Sequence, residues 1–238
     1  MPNLRSHAQT PIDGYPFPRT PHLPGSSADD DDRTLTREEL DSLCRTCEIV
    51  LQEKVDGTNV GVFFLSEGQP VCQKRAGLLT SREKKQYNVF RNWVWQRVEA
   101  LWSVLGTRWA LFGEWLWQTH AVAYDALPDF FLGFDLLDRA SHRFATSREV
   151  ETTVGQVVSL LPELWRGRVP SGEALQALLA SYLLRSAYAR TPPEGVYLRF
   201  EARGELVARA KCRRPGFAPG WHGAPRLNRL ANPTAVAD

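Results

Sequence analysis

The chain has 238 residues, 43% hydrophobic, 24% charged and 11% aromatic, enough to bury a sizeable core and to exclude a wholly disordered polypeptide. Its 29 Lys and Arg nearly balance 27 Asp and Glu, and the formal net charge of +2 averages over segments of opposite sign. No window approaches the roughly 20 continuous apolar residues of a membrane span, the proline-rich start lacks a signal peptide's apolar core, and four scattered cysteines make no disulfide framework. No membrane association is expected, and a reducing, cytoplasmic setting is.

Residues 1–34 read as a proline-rich and acidic arm, with six prolines, Gly14 and Gly25, and the run Asp29 to Asp32, but no helical or strand period. It is expected to lie on the domain or to be partly disordered. Residues 35–238 are expected to form one domain. A short helix opens near Leu35, where Thr36 and Glu39 have capping-box spacing, and ends near Cys44. Residues 48–54 (EIVLQEK) and 59–65 (NVGVFFL) read as strands separated by the turn signal Asp56-Gly57, and 70–74 as a third. Thr80 and Glu83 suggest a second capping box. It would open one helix carrying Tyr87, Phe90, Val94, Val98, Leu101 and Leu105 at three- or four-residue spacing.

Residues 108–115 and 129–137 are expected strands, the second (DFFLGFDLL) apolar enough to be buried on both faces. Helices are expected over 147–163 and 171–188, and a hairpin over 195–200 and 205–212 around Ala202-Arg203-Gly204. Strands and helices mix without regular alternation. The fold class is therefore α+β, with mainly antiparallel sheets flanked by helices.

Two basic groups stand out. One holds Lys74, Arg75, Arg82, Lys84, Lys85 and Arg91; the other holds Arg199, Arg203, Arg209, Lys211, Arg213 and Arg214. They suit a polyphosphate backbone, or are solvated faces of ordinary elements. The acidic run, opposite in charge, is expected to compete with nucleic acid for the basic cleft.

The richest chemistry lies in Glu53-Lys54-Val55-Asp56-Gly57-Thr58-Asn59, where a lysine ends a strand beside a glycine turn. Such a lysine is held at a cleft edge, and burial beside other cations would lower its pKa enough to make it a nucleophile. Read alone, the same residues are an ordinary surface lysine beside a turn, with Asp56 shaping the turn or orienting Lys54.

The segment resembles the first motif of the covalent nucleotidyltransferases, the superfamily of polynucleotide ligases and RNA capping enzymes. Five further segments follow in the order that superfamily uses: Lys74-Arg75-Ala76-Gly77, Phe112-Gly113-Glu114, Phe131-Leu132-Gly133-Phe134-Asp135, Glu194-Gly195-Val196 and Arg209-Ala210-Lys211. Asn59 and the Lys74 to Gly77 segment are most similar to the RNA ligase 2 family, and Pro18 to Gly25 is similar to the start of some bacterial members. The resemblance implies an ATP-grasp-like ligase domain in which Lys54 is the nucleophile and Arg209 and Lys211 bind the α-phosphate. It places Glu53, Asn59, Arg75, Glu114, Phe134, Glu194 and Lys211 at the nucleotide, with Glu114 on the ribose, Phe134 stacked on the purine and Glu194 serving the metal.

The implied activity is an ATP-dependent RNA ligase that works through a lysyl-adenylate with Mg2+ or Mn2+. The implied partner is RNA, as a nicked duplex, an RNA/DNA hybrid or free ends. Arginine in place of the usual lysine at 209 keeps the charge but alters phosphate geometry. Only 27 residues follow Lys211, so no OB-fold or other C-terminal domain is expected, and a protein partner that supplies one fits the pattern. A DNA-nick ligase, a GTP-using capping enzyme and a non-catalytic nucleotide- or nucleic-acid-binding relative are the alternatives.

Cys44 and Cys47 have zinc-like spacing, but no second pair follows them. His22, His120 and His142 read as polar surface residues. Trp93, Trp95, Trp102, Trp109, Trp115 and Trp117 read as core packing before base stacking.

Overall fold

The turn signal at Asp56-Gly57 does not close a hairpin. Strand β1 (Glu48–Lys54) belongs to one sheet and β2 (Thr58–Phe64) to another, so the chain crosses between sheets directly after Lys54. In the computed structural model, residues 14–26, 32–83, 85–220 and 226–232 are described. The first 13 residues of the arm, Asp29 to Asp31 and Lys84 lie outside them.

The four-stranded sheet has the order β10 (Glu205–Arg213), β9 (Gly195–Ala202), β1, β8 (Glu163–Gly167). The six-stranded sheet has the order β4 (Gly77–Leu78), β3 (Pro70–Lys74), β2, β5 (Trp109–Trp115), β6 (Phe131–Asp138), β7 (Arg143–Phe144). All the strand pairings are antiparallel. Period-two patterning sorts the side chains. Ile49, Leu51, Val196, Leu198 and Ala210 share one core with α1 (Arg37–Thr46) and α5 (Gly172–Tyr182), while Tyr197, Arg199, Arg209 and Lys211 take the alternate positions that face the other sheet.

On the far side of the six-stranded sheet, Val60, Val62, Phe64, Leu111 and Trp115 pack under α2 (Lys85–Trp95), α3 (Val98–Leu105) and α4 (Ser147–Val154). Its inner face, with Phe63, Phe112, Leu132 and Phe134, forms a third cluster with Phe17 of the arm and Tyr124. Trp93, Trp109 and Trp115 are buried, as the core reading expected, whereas Trp95 is exposed.

The Thr36 and Glu39 capping box forms as read. Three other expectations are corrected. The long helix breaks into α2 and α3 at Gln96-Arg97, and the Glu83 carboxylate accepts from Lys74 at 2.9 Å. The expected 147–163 helix ends at Val154, because Gly155 and Pro162 both disfavour its continuation, and the chain then forms β8, an unexpected strand on the edge of the first sheet. Helix α5 stops at Tyr182, six residues short of the expected end at 188.

Residues 14–26 of the arm are built into the domain. Gln73 exchanges two hydrogen bonds with the Tyr15 backbone, and Phe17 N–H donates to the Arg75 carbonyl at 2.9 Å. Further along, Lys211 N–H donates to Pro21 and Leu23 N–H donates to Lys211, both at 2.9 Å, so the arm runs beside β10.

Candidate active site

Lys54 is the last residue of β1 and pairs in register with Gly195, the first residue of β9. That register brings Glu194 alongside, and Lys54 Nζ donates to Glu194 Oε2 at 2.8 Å. Gly195 is required by the same geometry, since a Cβ there would stand 2.0 Å from the Cys212 carbonyl of β10. Gly57 has a similar role at the crossing, where a Cβ would meet the Trp115 carbonyl at 2.7 Å. Asp56 fixes the loop opposite: its Oδ2 accepts from the Ala121 and Val122 amides at 2.6 and 3.0 Å, and its own N–H donates to the Tyr124 hydroxyl.

A cleft of about 440 Å³ opens over Lys54, of the size that small-molecule ligands occupy. Asn59 of β2, Glu114 of β5, Phe134 of β6, Tyr197 of β9 and Lys211 of β10 line it, with Arg75 exposed at its mouth. Asn59 Oδ1 is buried without a hydrogen-bond partner, an acceptor that a hydroxyl or water on a bound ligand would satisfy.

Phe134 reaches the cleft through a β-bulge. Phe112 pairs with Asp135 and Gly113 with Gly133, which leaves Phe134 as the extra residue of β6. The bulge shifts the alternation, so that Phe134 and Asp135, although adjacent, both meet the other sheet. The Phe134 ring lies 6.2 Å from Tyr197, and Asp135 pairs with Arg199 and Arg209.

Electrostatics correct one expectation. Burial pushes the Lys54 ammonium down, but Glu194, Glu114 and Asp56 outweigh it and hold Lys54 above its ordinary pKa. The neighbours that decide the shift are carboxylates, where cations had been expected, so the resting lysine is a paired ammonium. Burial raises Glu114 to about 8, helped by Glu194 and Asp56 and opposed by Lys54.

The expected site residues do not all converge. Lys54, Asn59, Arg75, Glu114, Phe134 and Lys211 line the cleft, and Glu194 touches its lysine. Glu53 lines it too, but its fully buried carboxylate accepts from Ser186 Oγ at 2.5 Å and the Ala187 amide at 2.6 Å, so that charge serves the 186–187 loop. Arg209 is elsewhere: its Nε donates to Asp135 Oδ2 at 3.0 Å, and its guanidinium lies 3.8 Å over the Phe144 ring. Buried Asp135 holds Arg209 back from the cleft.

Tyr197 and His22 went unread as site residues. Tyr197 could have been found from its period-two position between Val196 and Leu198. His22, a residue of the arm expected at the surface, is fully buried beside β10, and no local pattern marks that.

A lysine at the seam of two antiparallel sheets, with carboxylates, a second lysine and an aromatic ring about one cleft, defines a catalytic domain of the nucleotidyltransferase superfamily. A family model described as RNA ligase matches residues 47–213, and the chain belongs to that family. No curated protein matches it. Among solved structures it is similar to a Naegleria gruberi RNA ligase mutant with ATP and Mn, at a TM-score of 0.53 and 15% identity over 82% of this chain and 60% of that chain. The Naegleria gruberi RNA ligase with PPi gives a TM-score of 0.53 and 16% identity over 82% and 59%. A further mutant with AMP and Mn gives 0.53 and 15% over 84% and 62%. The chain thus spans about 60% of the length of these structures.

Proposed function

We propose that the chain is an ATP-dependent RNA ligase that joins 5′-phosphate and 3′-hydroxyl ends through a lysyl-adenylate on Lys54. The observation that carries this reading is the convergence on one cleft of Lys54, Glu114, Phe134 and Lys211, contributed by strands of both sheets, with Glu194 paired to Lys54. Family membership and the ligands named in the Naegleria gruberi structures support it.

Lys54, paired with Glu194 in the resting protein, must first give up a proton to solvent. The Nζ lone pair then attacks the α-phosphorus of ATP in line, a P–N bond forms, the P–O bond to the β-phosphate breaks and pyrophosphate leaves. From their positions in the lining, Lys211 would hold the α-phosphate oxygens, Glu114 and Asn59 the ribose side, and Phe134 with Tyr197 the purine. Arg75 at the mouth is free to meet phosphates of nucleotide or RNA. The AMP passes to a 5′-phosphate oxygen, and a 3′-hydroxyl displaces it to form the phosphodiester.

Mg2+ or Mn2+ fits the donor set, because such ions are held by one or two carboxylates together with substrate phosphates. Among the described residues no group of three His, Cys, Asp or Glu forms a cage. Glu194 would hold the ion, which would supply charge neutralisation at the phosphates. The substrate strand is RNA, as a nicked duplex or RNA/DNA hybrid, and a protein partner would add surface for holding it.

The test is incubation with ATP labelled at the α-phosphate, Mg2+ or Mn2+, and a Lys54→Ala control. Label that survives denaturation and is lost in the variant is expected. No label with any nucleotide, or equal label on the variant, would overturn the reading.

A further inference from the structure

Lys211 is held from outside the cleft. Its Nζ donates to Asp32 Oδ2 at 3.1 Å, and the same oxygen lies 2.8 Å from His22 Nε2. On the other side of the ring, His22 Nδ1 lies 2.9 Å from Ser26 Oγ, which accepts the Arg213 N–H at 3.0 Å.

One proton arrangement satisfies every atom. Arg213 N–H donates to Ser26 Oγ, the Ser26 hydroxyl donates to Nδ1, and Nε2–H donates to Asp32, which also accepts a hydrogen bond from Lys211. The chain of bonds leaves β10 at residue 213 and returns to it at 211. His22 is fully buried, and burial holds its pKa below the ordinary value, consistent with the neutral ring this arrangement requires. The backbone locks the loop in place: His22 N–H donates to the Arg33 carbonyl at 2.7 Å and Leu35 N–H donates to the His22 carbonyl at 2.9 Å.

Resting on the adenylylation chemistry proposed above, we infer that Asp32, oriented by His22, is a positioning residue that fixes the Lys211 ammonium for the α-phosphate. A lysine ammonium is a point charge with three donors on a flexible stem, and nothing in its own shape aims it. Asp32 takes one donor, leaves the others for phosphate and opposes the forces that would discharge the group. Burial lowers the Lys211 pKa, Lys54 and Arg213 add to that, and Asp32 is the carboxylate that resists. Asp32 is not among the residues that line the cleft and does not touch Lys54; beyond the arm its hydrogen bond goes to Lys211, with Arg213 Nη2 farther off at 4.0 Å. An acidic residue of the arm thereby becomes part of a phosphate-binding apparatus.

A double-mutant cycle tests this, since residues that act as a unit are non-additive. Adduct formation is timed for the wild type, Asp32→Asn, Lys211→Ala and the double variant, with melting temperatures to confirm folding. Asp32→Asn is expected to slow the single-turnover rate about tenfold, the scale of orienting partners elsewhere. The ATP concentration at half-maximal rate should stay nearly constant, and Asp32→Asn should add nothing to Lys211→Ala. His22→Gln, whose amide nitrogen reaches the Nε2 position, should retain more activity than His22→Ala. Additive losses, or an unchanged rate in a folded Asp32→Asn protein, would overturn the inference.

Acetylation of lysines by acetic anhydride, read by mass spectrometry without nucleotide, separates the two readings. Lys211 should be protected in the wild type and react faster in Asp32→Asn and His22→Ala. If the wild type forms no adduct, the ligase reading fails, while unchanged Lys211 reactivity in both variants would sink the positioning role by itself.

Discussion

Lys54 and Glu194 lie 140 residues apart in the chain and 2.8 Å apart in space, because antiparallel pairing of β1 with β9 sets Lys54 opposite Gly195. The ion pair is thus a product of strand register. A one-residue slip between these strands would send Lys54 to the α5 side of the sheet and part it from its carboxylate.

Lys54 is held above its ordinary pKa, so the free amine is scarcer at neutral pH than in a typical lysine, and its reactivity should climb with pH to beyond 10. Glu194→Gln removes the strongest of the opposing carboxylates. At pH 8, without nucleotide or metal, Lys54 in that variant should react about tenfold faster with an amine reagent, equivalent to one pKa unit. Equal labelling of Lys54 in the two proteins would contradict this account of its charge.

Glu114 titrates in the folded protein at about 8, above its ordinary range. A group whose folded pKa is raised contributes stability that is full below its unfolded pKa and is lost as pH rises through the folded value. The unliganded protein should therefore lose melting temperature between about pH 5 and 8 and level off above that, and Glu114→Gln should flatten that slope. A variant as pH-sensitive as the wild type would point to another group.

Asp135 is buried and shared by Arg199 and Arg209. Its replacement by alanine leaves two guanidinium groups between the sheets without their carboxylate and should cost roughly 3–5 kcal/mol in urea unfolding. For the same reason Arg209→Ala should lower stability more than it lowers adduct formation per folded molecule, whereas Lys211→Ala should do the reverse. Equal kinetic damage from the two alanines would put Arg209 back at the phosphate.

A methyl group at 195 has nowhere to go, with the Cys212 carbonyl 2.0 Å from an ideal Cβ. Gly195→Ala should part β9 from β10 at the Glu194 end, cost about 1–3 kcal/mol as overpacking does elsewhere, and abolish the adduct. Full activity with an unchanged melting temperature would show that the hairpin yields without cost.

Much of this architecture is legible in the sequence. The ends of β1 and β3 fall at the expected residues, since alternation and turn chemistry are local signals. What is not local escaped. Asp56-Gly57 has the composition of a hairpin turn but serves as a passage between sheets, and only the partners of β1 and β2 decide which. The bulge at Phe134 depends on counting residues against β5, so the pairing of Asp135 with Arg209 could not be foreseen from the charge at 209. His22 looked superficial because its burial comes from a strand nearly two hundred positions away.

Strand β10 is the outer strand of its sheet, and the arm covers part of its free side through Pro21 and Leu23. An uncovered edge offers its amides and carbonyls to any other chain in extended form. The arm therefore guards against self-association: cleavage or removal of residues 14–26 should leave a protein that sticks to its own copies through β10. The RNA ligase match begins at residue 47, so a fragment trimmed to the recognised family segment would begin life with that edge bare.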